Sequence, residues 1–254
     1  MTYAAKLAER YSNLDYGEIT PQAIQKAKEC LMDYLSCTYA SLSFNSSQIV
    51  REFAFENYSR GKCTVIGSKR KLVSAGACLI NSTTGHGPEL DDTSNDAVIH
   101  VGVIIIPVAL AIAEHLDLGG KDVLRAMVIG YDTNIKVGKA ANPATLLARG
   151  FHPTAICGMF GEAMTAARLM NLNIEQTVNA LGVVGSFISG NLECYSDGTL
   201  TKRLNPGIAS SSGVIAAGLA LKGYTGPKSI FEGPRGFFHS YCENSKPEEL
   251  DKLK

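Results

Sequence analysis

The sequence predicts an all-α chain, a compact multi-helix bundle, and three observations carry that reading. Apolar residues recur at near-helical spacing through most of the 254 residues, as in Ile24, Ala27, Leu31, Leu35 and Thr38. Small residues crowd the later segments, as in TAICGMFGEAMTAARLM, and Ala and Gly at helical spacing let neighbouring helix axes approach closely. Only one patch, Cys63 to Gly67 (CTVIG), looks β-like, and it is too short to seed a sheet on its own. A layered α/β sheet is therefore not expected.

The opening MTYAAKLAERYS is amphipathic and carries acid, without the apolar core of a secretory signal. Thr20-Pro21 is a cap followed by a first-turn proline, so a long helix should begin there. Ser46 and Ser47 open a second, through Ile49, Phe53 and Phe55, ending near Arg60-Gly61. Leu72 to Thr84 reads as a small-residue helix that delivers an acidic loop. Ala97 to Ala113 is the greasiest run and the only candidate membrane span. It is interrupted by His100, Gly102 and Pro107, and at about 1.5 Å per residue it falls short of a bilayer, so a core helix is expected.

Gly119-Gly120 then breaks the chain before a helix from Lys121 to Gly138, with Val123, Leu124, Met127, Val128 and Ile135 on one side. Two more are expected, from Thr154 to Met170 and from Ile174 to Ser189. Asn173 caps the second, with Glu175 and Gln176 in its first turn. Val214 through Leu221 closes the pattern, and GYTGPKSIFEG marks a turn and a short helix.

Charge and composition exclude several partners. Lys plus Arg and Asp plus Glu both number 24, scattered, so no basic face for nucleic acid and no polybasic membrane tract is expected. With 45% hydrophobic residues the chain can bury a substantial core. Seven cysteines, an odd number without a C-x-x-C pair, read as free buried thiols in a reducing cytoplasm.

The most informative stretch is NSTTGHGPELDDTSNDAVIHVGVIIIP. No Lys or Arg occurs between Lys71 and Lys121, yet Glu89, Asp91, Asp92 and Asp96 cluster there, with His86 and His100 nearby. At the edge of a core such carboxylates should raise one another's pKa and require a cation from elsewhere; the alternative is a polar loop capping a buried helix. Two other loops carry capable groups. In RGFHPT, His152 stands just before a helix start, where an anion would also meet first-turn N–H groups; it could equally be a satisfied loop residue. In DGTLTKRLNPG, Lys202 and Arg203 are the first basic residues after Arg168, in a Gly- and Pro-bounded loop, and are the expected counter-cations.

HGPELDDT followed by His100, GFHPTAICGMFGEAMTAARLM, and DGTLTKRLNPGIASSSGVIAAGLALKGYTGP, in that order, resemble the MmgE/PrpD family over nearly the whole chain. The resemblance implies a large helical domain, usually dimeric and metal-free with no cofactor. It acts on small di- or tricarboxylates by moving a proton on carbon next to a carboxylate. A 2-methylcitrate dehydratase-type lyase is the expectation. The alternatives are an iminodisuccinate-type epimerase, or an incomplete helical ligand-binding or oligomerisation module that needs a separate lid chain.

Residue by residue, the resemblance places Glu89 where many members have Asp, and matches Thr93, His100, His152 and Lys202 to family site positions. His86 and Asp92 also match, and Arg203 adjoins the lysine. Lys202, His100, Glu89 and Thr93 are thus the expected catalytic group, with His100 or Lys202 moving the proton. His152, Asp92, His86 and Arg203 are expected to bind substrate. Asn205 stands where the family commonly has histidine, and Val101 follows His100 where it commonly has proline. Members usually continue into a smaller α+β lid. Residues 1–240 are accordingly read as the helical domain and 241–254 as a polar tail or the start of that lid, whose remainder is expected to be absent or on another chain. A homodimer is expected.

Overall fold

The computed structural model describes residues 1–252, so the end of the expected tail lies outside the described residues. Helix α1 (Tyr3–Ser12) starts at Thr2, whose hydroxyl accepts the Ala5 N–H at 3.3 Å. Helix α2 (Pro21–Ala40) starts as expected, with the Thr20 hydroxyl accepting from Ala23 and proline at the first position. After α3 (Asn45–Asn57), strand β1 (Arg60–Thr64) pairs antiparallel with β2 (Lys71–Leu72). Helix α4 (Ser74–Gly85) leads into the acidic loop, which holds a second small hairpin of β3 (Thr93–Ser94) and β4 (Ile99–His100).

The remaining elements are α5 (Gly102–Leu116), α6 (Gly120–Ala140), α7 (Pro143–Ala148), α8 (Pro153–Leu169) and α9 (Ile174–Val184). Then come α10 (Cys194–Asp197), α11 (Thr201–Leu221) and α12 (Phe237–Tyr241). The fold is all-α, as the sequence predicts. Helices α5, α8 and α11 form its middle. Against them pack α2, α4 and α6 in a core containing Tyr34, Ile80, Ile104 and Met127, and α1, α9 and α12 in a second containing Leu7, Leu181, Phe231 and Phe237. After α12 the chain returns to α6, where the Lys246 N–H donates to the Ala140 carbonyl at 2.7 Å and Leu250 is buried. All seven cysteines are free, six of them buried.

Several boundaries differ from the sequence reading. The apolar helix begins at Gly102 rather than Ala97, because Ser94 and Thr93 pair with Ile99 and His100 and hold those residues extended. The strand lies a few residues earlier than CTVIG, with Val65 and Ile66 buried beyond it. The helix after Asn173 stops at Val184, the short helix expected in GYTGPKSIFEG forms later at Phe237–Tyr241, and α7 and α10 were not expected.

The largest correction concerns DGTLTKRLNPG, which is not a loop throughout: Lys202 and Arg203 lie in the first turn of α11, with Pro206 inside the helix. Gly207 lets this turn press onto α4, since a Cβ there would meet the Thr83 hydroxyl and come within 2.7 Å of the Leu79 carbonyl. Among the described residues the one helix long and apolar enough to cross a membrane is therefore α11, and not the Ala97 to Ala113 run, whose helix α5 is shorter; 61% of the α11 window is buried inside the protein.

Proline inside α5 has a local remedy. Pro107 has no N–H to give the Val103 carbonyl one turn back, and the buried Ser82 hydroxyl of α4 donates to that carbonyl at 2.7 Å. At the start of α5 the Asp92 carboxylate accepts the Gly102 N–H at 2.9 Å and the Tyr131 hydroxyl at 3.2 Å. A Cβ at residue 102 would fall on that carboxylate and 2.6 Å from the tyrosine oxygen. Gly102→Ala should therefore cost about 1–3 kcal/mol of stability in a denaturant titration; an unchanged midpoint would show that this junction yields freely.

Candidate active site

Four helix ends and the acidic loop meet at one place. Helix α4 ends at His86, which is fully buried. His100 closes β4 two residues before α5, and its backbone N–H donates to the Thr154 hydroxyl in the first turn of α8 at 3.1 Å. His152 is the N-terminal cap residue of α8, and Lys202 lies in the first turn of α11. The starts of α5, α8 and α11 thus converge, and each brings partial positive charge to the same region. The imidazole centroid of His86 lies 4.7 Å from that of His100 and 5.9 Å from that of His152.

Asp91 organises two of the three histidines. It is 3% exposed, and its carboxylate lies 3.0 and 3.2 Å from His86 Nδ1 and 3.2 Å from His100 Nδ1. The Asp91 carbonyl at 3.2 Å and the Thr93 hydroxyl at 3.3 Å also approach His100 Nδ1. Burial alone would raise the Asp91 carboxyl, but the hydrogen bonds and charge of the two imidazoles hold it well below the usual carboxylate range. Burial would likewise lower His100, and Asp91 reverses that, leaving His100 raised. His152 goes the other way, lowered by burial and then by the charges of His86, Lys202 and His100.

The distant cation arrives as the sequence reading requires. Lys202 Nζ, in a residue 8% exposed, makes an ion pair and hydrogen bond with the Glu89 carboxylate and lies 5.3 Å over the Tyr195 ring. Arg203 donates from Nε to the Gly87 carbonyl at 3.0 Å and places its guanidinium 3.6 Å from Glu89. Burial works to raise Glu89 and lower Lys202. Their mutual bond outweighs it, so Glu89 is held below and Lys202 above its ordinary value. Glu89 adopts a left-handed backbone (φ 55°), a conformation that costs a non-glycine residue about 1–3 kcal/mol and is tolerated where the surroundings fix it.

The structure thus gathers His86, Glu89, Thr93, His100, His152, Lys202 and Arg203. Asp92 sits apart from that chemistry, capping α5. Asp96 is paired with Lys139 of α6 at 2.7 Å. Glu89 and Asp91 are lowered rather than raised by their neighbours, whereas burial, then Asp91 and Asp33, push Asp92 up to about 6 against Gly102 and Tyr131. The partners that sequence reasoning did not single out are Asp91 as the bridge, Thr154 and Tyr195. His86 and Asp91, five residues apart, were the available signal for the first.

Because the folded-state pKa of Asp92 lies above its ordinary 3.8, the folded chain binds more protons than the unfolded one between those values. Stability contributed by this group therefore falls as pH rises through that window. Asp92→Asn should flatten the decline in Tm between about pH 4 and 6; an unchanged slope would assign the decline to other groups. Among the described residues one group could hold a metal: His86, Asp91 and His100, with one ligand atom each within 4.8 Å of one another. Both Nδ1 atoms are already engaged by the Asp91 carboxylate. The His86 Nε2 is buried without a hydrogen-bond partner.

A cis-aconitate decarboxylase-like protein of Aspergillus oryzae is 29% identical over 97% of this chain and 54% of its own length. Cis-aconitate decarboxylase of Aspergillus terreus is 29% identical over 92% of the chain and 49% of its own, and that of Homo sapiens 27% over 94% and 50%. The chain spans about half the length of these curated relatives. The MmgE/PrpD N-terminal domain matches residues 5–250, and the chain belongs to the MmgE/PrpD family.

Proposed function

We propose that this chain forms the helical part of a lyase acting on a small di- or tricarboxylate. The observation that carries this reading is the meeting of Lys202 with the acidic loop around three histidines, at the starts of three helices. A multiply charged acid needs such a concentration of cations and N–H donors. Removing a proton next to a carboxylate and then losing hydroxide passes through carbanion-like charge. So does breaking a carbon–carboxylate bond with release of carbon dioxide, followed by addition of a proton to carbon. Both routes require a positive group at the developing charge and a proton carrier within reach.

In this reading Lys202 stabilises the developing charge, and His100, steered through Nδ1 by Asp91 and Thr93, carries the proton on Nε2. Glu89 sets the lysine, while His86, His152 and Arg203 hold substrate carboxylates. Asp92 acts by fixing the start of α5 rather than by contact. Cis-aconitate is the first substrate to test, because the curated relatives bear that name. 2-Methylcitrate follows, and an epimerase would use the same proton abstraction. The free cysteines support a reducing setting such as the cytoplasm.

The test is incubation of the purified chain with each acid in deuterium oxide. Deuterium entering the carbon next to a carboxylate, or turnover, supports the lyase. Exposure of Thr93 and half-burial of Glu89 leave one side of the site open, so a covering chain belongs to the proposal, as does a homodimer that sedimentation would detect. Water exclusion strengthens such electrostatics. Binding without exchange would identify a ligand-binding module that needs that cover; no binding at all would overturn both readings.

A further inference from the structure

His152 has its two ring nitrogens in different surroundings, and the difference fixes its proton. The backbone around it is pinned: its N–H donates to the Gly190 carbonyl at 3.2 Å, Phe151 bridges to Asn191, and the Leu192 N–H donates to the Gly150 carbonyl at 2.8 Å. Gly190, at φ +124°, makes this close passage possible, since a Cβ there would lie 3.0 Å from the Ala155 methyl and 3.5 Å from the Asn205 amide. The Asn191 carbonyl is thereby held beside Asn205, whose Nδ2 lies 3.1 Å from it and 3.3 Å from His152 Nδ1.

A backbone carbonyl can only accept, so the Asn205 amide must turn its nitrogen, not its oxygen, towards Asn191. The second hydrogen of that nitrogen then points at His152 Nδ1, which must offer a lone pair. A proton on Nδ1 would set two donors against each other. From these contacts we propose that Asn205 is a positioning residue that holds His152 as a neutral imidazole with its proton on Nε2. His152 then meets a bound acid as a hydrogen-bond donor and not as a base. The charged and titratable groups facing it agree: His86 from the end of α4, His100 from β4 and Lys202 from α11 oppose a further positive charge, and Asp91 alone favours one. The donor role rests on the lyase reading; the tautomer does not.

The test is nitrogen NMR of the 15N-histidine-labelled chain, with His152 assigned by loss of its signals in a His152→Asn variant. The expected result is an unprotonated Nδ1 and a protonated Nε2 throughout about pH 5.5 to 8.5, where an unshifted histidine would titrate. A protonated Nδ1, or a ring that becomes charged within that range, overturns the proposal. In Asn205→Asp the carboxylate accepts instead of donating. Nδ1 should gain the proton and the ring should titrate at least about one unit higher. His152 signals left unchanged by that substitution also overturn it. Deuterium exchange failing while the tautomer is as stated would sink the lyase reading and leave Asn205's role standing.

Discussion

Replacing Lys202 with Ala is expected to lower turnover by about 10²–10³-fold or more, the usual consequence of removing a preorganised group from developing negative charge. The fold should survive. Arg203 stays 3.6 Å from Glu89, and Glu89 keeps partial access to water, so the carboxylate left behind is not stranded. Circular dichroism and a denaturant titration would establish that the variant is folded before rates are compared. The loss should fall mainly on kcat if the amine stabilises the transition state, and on KM if it only binds a substrate carboxylate. A folded Lys202→Ala chain that retains wild-type turnover would remove this residue from the chemistry.

Asp91→Asn is expected to damage both stability and activity. The carboxylate is buried between two imidazoles, and breaking one partner of a buried charged network costs about 3–5 kcal/mol. An amide has one uncharged oxygen in place of the carboxylate's two charged ones, so His86 Nδ1 and His100 Nδ1 compete for it, His100 falling back on the Asp91 backbone carbonyl and the Thr93 hydroxyl. With the carboxylate charge gone, burial and Lys202 would be opposed on His100 mainly by the Asp91 backbone carbonyl, and its pKa should fall from its raised value. A lowered Tm together with a shifted pH–rate profile is the expected pair of results. A lowered Tm with an unmoved profile would make Asp91 a packing residue only, because loss of structure alone does not move the titration of His100.

Helix identity was legible because it depends on local signals. Thr20-Pro21 and Asn173 cap the helices they were expected to cap, and the Ala- and Gly-rich runs became the closely packed α8 and α11. Where the reading failed, a contact distant in sequence prevailed over local preference. Asn-Pro-Gly ordinarily ends a helix, but in α11 it lies where Gly207 lets the backbone press onto α4, so the helix continues and Lys202 acquires a fixed first turn. His100 looked helical until pairing with Thr93 drew it into a hairpin.

The site followed the same rule. A stretch of acids without a base correctly demanded Lys202 from far along the chain. Charge counting also implied that neighbouring acids would all be raised, whereas Asp91, within five residues of His86, is depressed by imidazoles that only the fold brings to its other side. The direction of Asn205 depended on the Asn191 carbonyl, whose position is set by its bridge to Phe151.

The central claim is that the acidic loop, the three histidines and the α11 start make one receptor for a small polycarboxylate. Titrating cis-aconitate into the 15N-histidine-labelled chain tests it most directly, since only five histidines report. The imidazole signals of His86, His100 and His152 should move together and saturate, while His115 and His239, elsewhere in the fold, stay still. Signals that do not move for cis-aconitate or 2-methylcitrate, or that move only at His115 or His239, would contradict the account.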